Sequence, residues 1–316
     1  MPWWFFRRRR ATNVSVNASA AEPSVARPAS DEAAPLSFSA AHRYLDEPPY
    51  LLPKDLGEAN RLDFQHYVLR AILRGNYLAP IQQPRRILDV GCGTGQWAFE
   101  LAQQFPQAEV VGLDLEPTSA KAITPPANYR FVQGDALKGL PFEDETFDFV
   151  HQRFLWLAIP LRAWPGLVQE LARLTAPGGW VELVEFGTGT ADFTPAGPAT
   201  QRYLHLAGQL AALRGLDTEG VIMRSLDRYL RDAGLVSVQS QSFEVPLGQW
   251  GGRLGSLLAL DFRESSKGLS GAIAARFQIS EQEVLDLIEA AVGEFDEFHT
   301  CYRLAVAYGN KPPTTT

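Results

Sequence analysis

An α/β fold follows from three features of the sequence: a mostly parallel, seven-stranded sheet with an antiparallel C-terminal strand and helical insertions over one edge. First, the run Arg86-Ile87-Leu88-Asp89-Val90 has the character of a buried strand and ends on the turn Gly91-Cys92-Gly93-Thr94-Gly95, after which a helical pattern begins at once. Second, short apolar runs alternate with helical stretches at the pitch of βα units, which predicts parallel strands joined by crossovers. Third, the next two runs close on acids, Asp114 and Asp135, at the edge where such sheets bind ligands.

The expected elements run as follows. A proline-stiffened approach, residues 47–55, leads into a helix from about Gly57, with Leu62, Val68, Leu69, Ile72 and Leu73 broadly on one side and Gly75 as its stop. Arg61, Gln65 and His66 read as a solvated face. Strand one is Arg86 to Val90, and the helix after the glycine turn stops before Pro106. Val110 to Asp114, Tyr129 to Gln133 and Thr146 to Val150 are strands two to four, and Trp180 to Phe186 is strand five after the Pro177-Gly178-Gly179 turn. Helices are expected near residues 165–174, 200–213, 218–233 and 253–267. Ser280-x-x-Glu283 is a capping box that opens another. Leu235 to Val245 alternates as strand six, and Tyr302 to Tyr308 is the last strand. The domain layout is a tail over 1–40, a lid segment and helix over 41–80, and a main domain over 81–316 with insertions near 190–233 and 250–298.

Composition narrows the classes. The chain of 316 residues is 46% apolar, enough for a substantial core, and its net charge of −7 argues against a general nucleic-acid binder. Cys92 and Cys301 form neither a disulfide framework nor a metal-ligand pattern, so a reduced, cytoplasmic protein is expected. Trp3-Trp4-Phe5-Phe6 followed by Arg7 to Arg10 opens an Ala/Ser/Pro-rich tract that reads as a disordered tail. Five arginines against Glu22 give its first thirty residues +4, leaving −11 for the rest.

The glycine spacing bears on the ligand. A dinucleotide fingerprint is G-x-G-x-x-G, but Gln96 stands where its third glycine would fall, which disfavours a nicotinamide-dependent oxidoreductase. D-x-G-x-G-x-G over Asp89 to Gly95 instead resembles class I S-adenosylmethionine-dependent methyltransferases, with a Rossmann-like sheet. Tyr50-Leu51-Leu52-Pro53-x-Asp55, Arg61-Leu62-Asp63-x-Gln65-His66, Gly95-x-Trp97-Ala98, His151-x-Arg153 and Gly179-Trp180-Val181-Glu182-Leu183-x-Glu185 narrow the likeness. They resemble the fungal secondary-metabolism regulator methyltransferases of the velvet complex and their bacterial small-molecule relatives.

That resemblance implies S-adenosyl-L-methionine as cofactor. Asp89, Gly91, Gly93 and Gly95 are implied to hold its methionine part, with Cys92 within that loop. Asp114 is implied at the ribose, Asp135 and the backbone amide of Ala136 at the adenine, and Gln152 at the methionine end, with Leu115, Gly134 and Arg153 as further cofactor contacts. Tyr50, Arg61 and Gln65 are implied to act as a lid. His151, Glu185, Tyr203 and His205 are the candidate bases, needed only where the acceptor is a poor nucleophile. Trp156, Trp164 and Trp250 are core or pocket residues. A small-molecule acceptor is the expected partner, without nucleic acid or stable membrane insertion, and a homodimer is left open. The strand-four end lacks the Pro-Pro-aromatic clamp of enzymes that methylate flipped bases. The alternative is a cofactor-binding regulator that works through a protein partner.

Overall fold

The computed structural model describes residue 52 and residues 56–117 and 124–313. The tail, the proline-stiffened approach other than Leu52, and Tyr50 lie outside the described residues, so the lid role expected of Tyr50 has no counterpart below.

Five parallel strands form the centre of the sheet. β1 (Arg86–Val90) lies between β2 (Glu109–Asp114) and β4 (Phe147–Arg153), with β3 (Tyr129–Gln133) outside β2 and β5 (Thr175–Phe186) outside β4. Two longer strands extend it antiparallel: β8 (Cys301–Asn310) pairs with β5, and β7 (Val236–Pro246) pairs with the other edge of β8. Among the described residues the sheet has eight strands, one more than expected. The extra one, β6 (Phe193–Thr194), pairs with Tyr302 and Cys301 just past the end of β5. Two residues carry no readable alternation, so no sequence pattern reports them.

Alternate strand residues face opposite sides of the sheet. Val150, Val181 and Leu183 pack under α3 (Trp164–Leu174) and α5 (Val221–Asp232) through Trp164, Leu171, Leu226 and Leu230. Ile87, Val110 and Phe149 pack on the other face against Trp97, Ala98 and Leu101 of α2 (Gln96–Gln104). Each fully buried Val, Leu, Ile or Phe among them contributes about 1.5–3 kcal/mol.

The remaining helices cover the end of the sheet: α1 (Leu56–Leu73), α4 (Pro198–Ala212), α6 (Gly252–Lys267), α7 (Ser270–Phe277) and α8 (Glu281–Phe298). Val68 and Leu69 of α1, Leu258 of α6 and Phe295 of α8 close over Phe186 and Leu304 of the sheet. Leu210, Ile273 and Ile288 join α4, α7 and α8. The capping box is present: Glu283 N donates to Ser280 Oγ (3.2 Å) while Ser280 N donates to Glu283 Oε2 (2.8 Å). The eight-residue α7 is an element the sequence reading lacked.

Two expectations are corrected. β4 runs on through His151 and Gln152 to Arg153, three residues beyond the expected end at Val150. The polar face of α1 is not solvated: Glu58, Arg61, Asp63 and His66 are buried. α1 lies between α2, α6 and the sheet, which leaves it little face toward water.

Candidate functional site

The loops at the carboxyl ends of β1 to β4 converge on one cleft of about 660 Å³. That volume and position suit a small organic ligand in an α/β sheet. The glycine loop is its floor. Gly91, Gly93 and Gly95 have φ of 72°, 54° and 81°, the left-handed region where side chains are strained. At Gly91 a Cβ would also collide with Leu155 Cδ2. Leu113 O accepts from both Gly91 N (2.8 Å) and Cys92 N (3.0 Å), which ties the loop to the end of β2.

Asp114 closes β2 and lines the cleft, and its Oδ2 accepts from Gly93 N at 2.9 Å. The acid thus fixes the glycine loop as well as facing the ligand space, a second role not readable from its place in the sequence. Gly134 N donates to Asp114 O (2.9 Å), so the β3 turn follows the same strand end. Asp135 and Ala136 line the adjoining wall, where Asp135 Oδ1 accepts from Leu137 N (2.9 Å) and Oδ2 lies 3.3 Å from Lys138 Nζ.

The end of β4 supplies a cation. Arg153 lines the cleft, and one of its N–H groups meets His66 Nδ1 at 3.3 Å. Burial, then the charge of Arg153, lowers His66 to about 4, so it is neutral and accepts from the guanidinium. His66 Nε2 in turn lies 3.4 Å from Glu100, which Arg70 pairs at 2.9 Å. Among the described residues no carboxylate pairs with Arg153, which leaves a half-buried guanidinium facing the cleft.

Of the fifteen expected cofactor positions, Gln65, Gly91, Cys92, Gly93, Asp114, Leu115, Gly134, Asp135, Ala136 and Arg153 line the cleft. The others described do not. Gly95 sits one turn back, where its N donates to Cys92 O (2.9 Å) at the start of α2. Arg61 turns toward α6. Asp89 is buried beneath the loop and accepts from His151 Nδ1 at 2.8 Å. Gln152 is fully buried and donates to Glu185 Oε1 at 2.6 Å. Leu62, Phe154 and Leu155 line the cleft without having been expected there.

The four candidate bases are scattered. His151 stacks on Trp97, with centroids 3.8 Å apart and planes within 6°, and burial lowers its pKa against the pull of Asp89. It lies behind the cleft wall. Glu185 is fully buried beneath the turn after β4, where Oε1 also accepts from Leu155 N at 2.8 Å. Tyr203 is buried in the cap, and burial raises its pKa despite a hydrogen bond with Ser266, so it remains a phenol. His205 is exposed on α4 beside Gln209. Trp164 is core, Trp250 is exposed near His299, and Trp156 lines the cap cavities described next.

Burial raises Glu185 to about 8 and Glu182 to about 7 from a usual value of 4.5. The folded state therefore holds protons that the unfolded chain releases near 4.5. Stability from these groups is full below that pH and is lost as pH rises through the folded values. Each unit of difference corresponds to about 1.4 kcal/mol. Between about pH 6 and pH 8, urea unfolding should show a falling stability that is flatter in Glu185→Gln. Parallel profiles for the two proteins would contradict a protonated Glu185.

Two further lobes of about 100 Å³ each lie between α1, α4, α6 and the turn after β4. The outer lobe shares Leu62, Gln65 and Phe154 with the cleft, and the inner lobe shares Trp156, Phe262 and Tyr302 with the outer. Phe154, Phe186, Tyr302 and Phe193 stack in sequence along this path, with centroid spacings of 4.4, 4.5 and 4.2 Å.

Residues 87–179 match the family described as "Methyltransferase domain". The chain is 29% identical over 277 residues to methyltransferase pytC of Aspergillus terreus, covering 83% of each. It is 32% identical over 213 residues to the secondary metabolism regulator LAE1 of Cochliobolus heterostrophus, covering 64% of this chain and 67% of that protein. Over 137 residues it is 39% identical to methyltransferase str3 of Strobilurus tenacellus, covering 42% of this chain and 47% of that protein.

Proposed function

The chain belongs to the S-adenosyl-L-methionine-dependent methyltransferases, and from that premise we propose that it methylates a small organic acceptor of secondary metabolism. The observation that carries this reading is that the strand-end cleft shares Leu62, Gln65 and Phe154 with a neighbouring aromatic-walled lobe of the cap, one of two of about 100 Å³ that are too small for a macromolecule. The printed name of the relative LAE1, a secondary metabolism regulator, supports the metabolic setting.

The residues of the cleft fit the donor. The guanidinium of Arg153, which no carboxylate pairs among the described residues, suits the carboxylate of an amino-acid moiety, and a charge-assisted hydrogen bond is stronger than a neutral one. Asp114 offers acceptors where a ribose would lie, and Asp135 offers them where an adenine amine would lie. The bound donor supplies a methyl already activated on a sulfonium. What remains for the protein is alignment: near-attack positioning lowers barriers by about 7–11 kcal/mol in favourable systems. Glu185 contributes by holding Leu155 N, which sets the corner carrying Phe154 between cleft and cap. Among the described residues no helix is long and apolar enough to cross a membrane.

Transfer of labelled methyl groups into a panel of small aromatic and indolic compounds tests this reading. Product with at least one compound is expected. Donor binding with no transfer to any of them would favour the second reading, a regulator that works through a protein partner, for which the likeness to LAE1 speaks.

A further inference from the structure

None of the four bases expected from sequence lines the lobe that meets the donor cleft, apart from its shared wall with the cap: His151 and Glu185 lie behind the sheet end, His205 faces water, and Tyr203 borders only the inner lobe. A different group stands there. Asp261 of α6 lines the outer lobe and is 7% exposed. Its Oδ1 accepts from Arg61 Nη1 at 2.6 Å, and its Oδ2 accepts from Gln65 Nε2 at 2.9 Å. Gln65 is the residue that borders both the lobe and the cleft, so the carboxylate is held at their junction. Each carboxylate oxygen has a second lone pair, so two hydrogen bonds leave Asp261 able to accept another. Asp217, the other acid lining the lobes, is engaged otherwise: its oxygens accept from Glu219 N (3.0 Å) and Ile222 N (2.7 Å) at the start of α5.

The walls describe what the lobes receive. The stacked rings of Phe154, Phe186, Tyr302 and Phe193 form one side, with interplanar angles of 14°, 10° and 23°. Phe262 meets Phe193 and Tyr203 edge-on from α6. Flat rings against flat rings gain offset-stacking and edge contacts beyond simple burial. An apolar cavity of about 150 Å³ takes up benzene, so two adjoining lobes of about 100 Å³ admit one or two rings. In the outer lobe Arg61 is shared between Asp261 and Glu58, a triad with one cation against two carboxylates, so an anionic acceptor would enter against that charge and bear its desolvation cost.

Taken with the methyl-transfer reading, on which it rests, we infer that Asp261 is the catalytic base and that the acceptor is an uncharged, planar hydroxyarene seated along the aromatic stack with its hydroxyl at Asp261. In the step, a lone pair of the hydroxyl oxygen forms the new O–CH₃ bond. The S–CH₃ pair remains on sulfur as a neutral thioether, and the hydroxyl proton passes to the Asp261 carboxylate. A neutral arenol is a weak nucleophile, so this proton transfer is where a base has most effect, typically about 10²–10⁴-fold.

The test uses the full chain with 2-naphthol as probe. In protein loaded with S-adenosylhomocysteine, calorimetry should show saturable 2-naphthol binding that exceeds binding of cyclohexylamine or benzoate. Ala207→Trp, which fills the inner lobe, should weaken 2-naphthol at least tenfold while affinity for S-adenosylhomocysteine stays within twofold. Asp261→Asn keeps an acceptor for Arg61; its 2-naphthol affinity should stay within threefold while kcat for methyl transfer falls about 10²–10⁴-fold. The lost rate should return as pH approaches that at which the naphthol ionises. Stronger binding of the amine or carboxylate, binding without transfer, or an undiminished kcat in Asp261→Asn would overturn the inference. Absent binding of S-adenosylhomocysteine by the unmodified protein would instead overturn the functional reading beneath it.

Discussion

Asp114→Ala should abolish measurable binding of S-adenosylhomocysteine. The acid faces the cleft at the end of β2 and also accepts from Gly93 N, so its removal acts twice. The ligand loses a charged acceptor, and the glycine loop loses the contact that holds its amide toward β2. A ligand hydrogen bond to a charged group is worth about 1.5–3 kcal/mol, or about 10–150-fold in affinity, and the loosened glycine loop adds to the loss. Asp114→Asn separates the two roles. Its amide oxygen can still accept from Gly93 N, but it offers the ribose one acceptor fewer and no charge, so an intermediate loss of roughly tenfold is expected. Unchanged affinity in Asp114→Ala would remove Asp114 from the ligand site.

Arg61→Ala should have the largest effect on stability. Arg61 is 4% exposed and forms a two-pronged pair with Glu58, with Nε–Oε2 and Nη2–Oε1 distances of 2.7 Å, and a third bond to Asp261 on α6. Glu58 and Asp261 are themselves 6% and 7% exposed. Removing the cation leaves two buried carboxylates facing each other across the α1–α6 contact, a change that costs about 3–5 kcal/mol in comparable pairs. Thermal unfolding should show the loss as a lowered midpoint. Because α1 carries Leu62 and Gln65 onto the cleft, donor affinity should fall as well. An unfolding midpoint within a degree of the unaltered protein would show that the triad does not hold α1 in place.

What the sequence made legible was local. Strand β1, the glycine loop and α2 were readable because an apolar run, three glycines and a helical pattern lie within about twenty contiguous residues, and each states its own geometry. The Ser280 capping box was readable for the same reason. His151 and Gln152 were misplaced because polar residues at the end of an apolar run look like a turn. In the fold they are strand interior on opposite faces, made tolerable by Asp89 and Glu185 as buried partners. Those partners lie 62 and 33 residues away, and nothing in a local pattern reports them. Arg61 and Asp261, 200 residues apart, are the extreme case. The aromatic path has the same origin: its four rings come from the turn after β4, from β5, from β8 and from the two-residue β6. Donor-side chemistry sits on consecutive strand ends and so shows in the sequence, whereas the acceptor side is assembled from distant segments.

The assignment of the cleft to S-adenosyl-L-methionine is tested most directly by calorimetric titration of the full chain with S-adenosylhomocysteine and, separately, with NAD. One saturable site for S-adenosylhomocysteine and no heat with NAD is the predicted result. Saturable NAD binding together with no response to S-adenosylhomocysteine would contradict it.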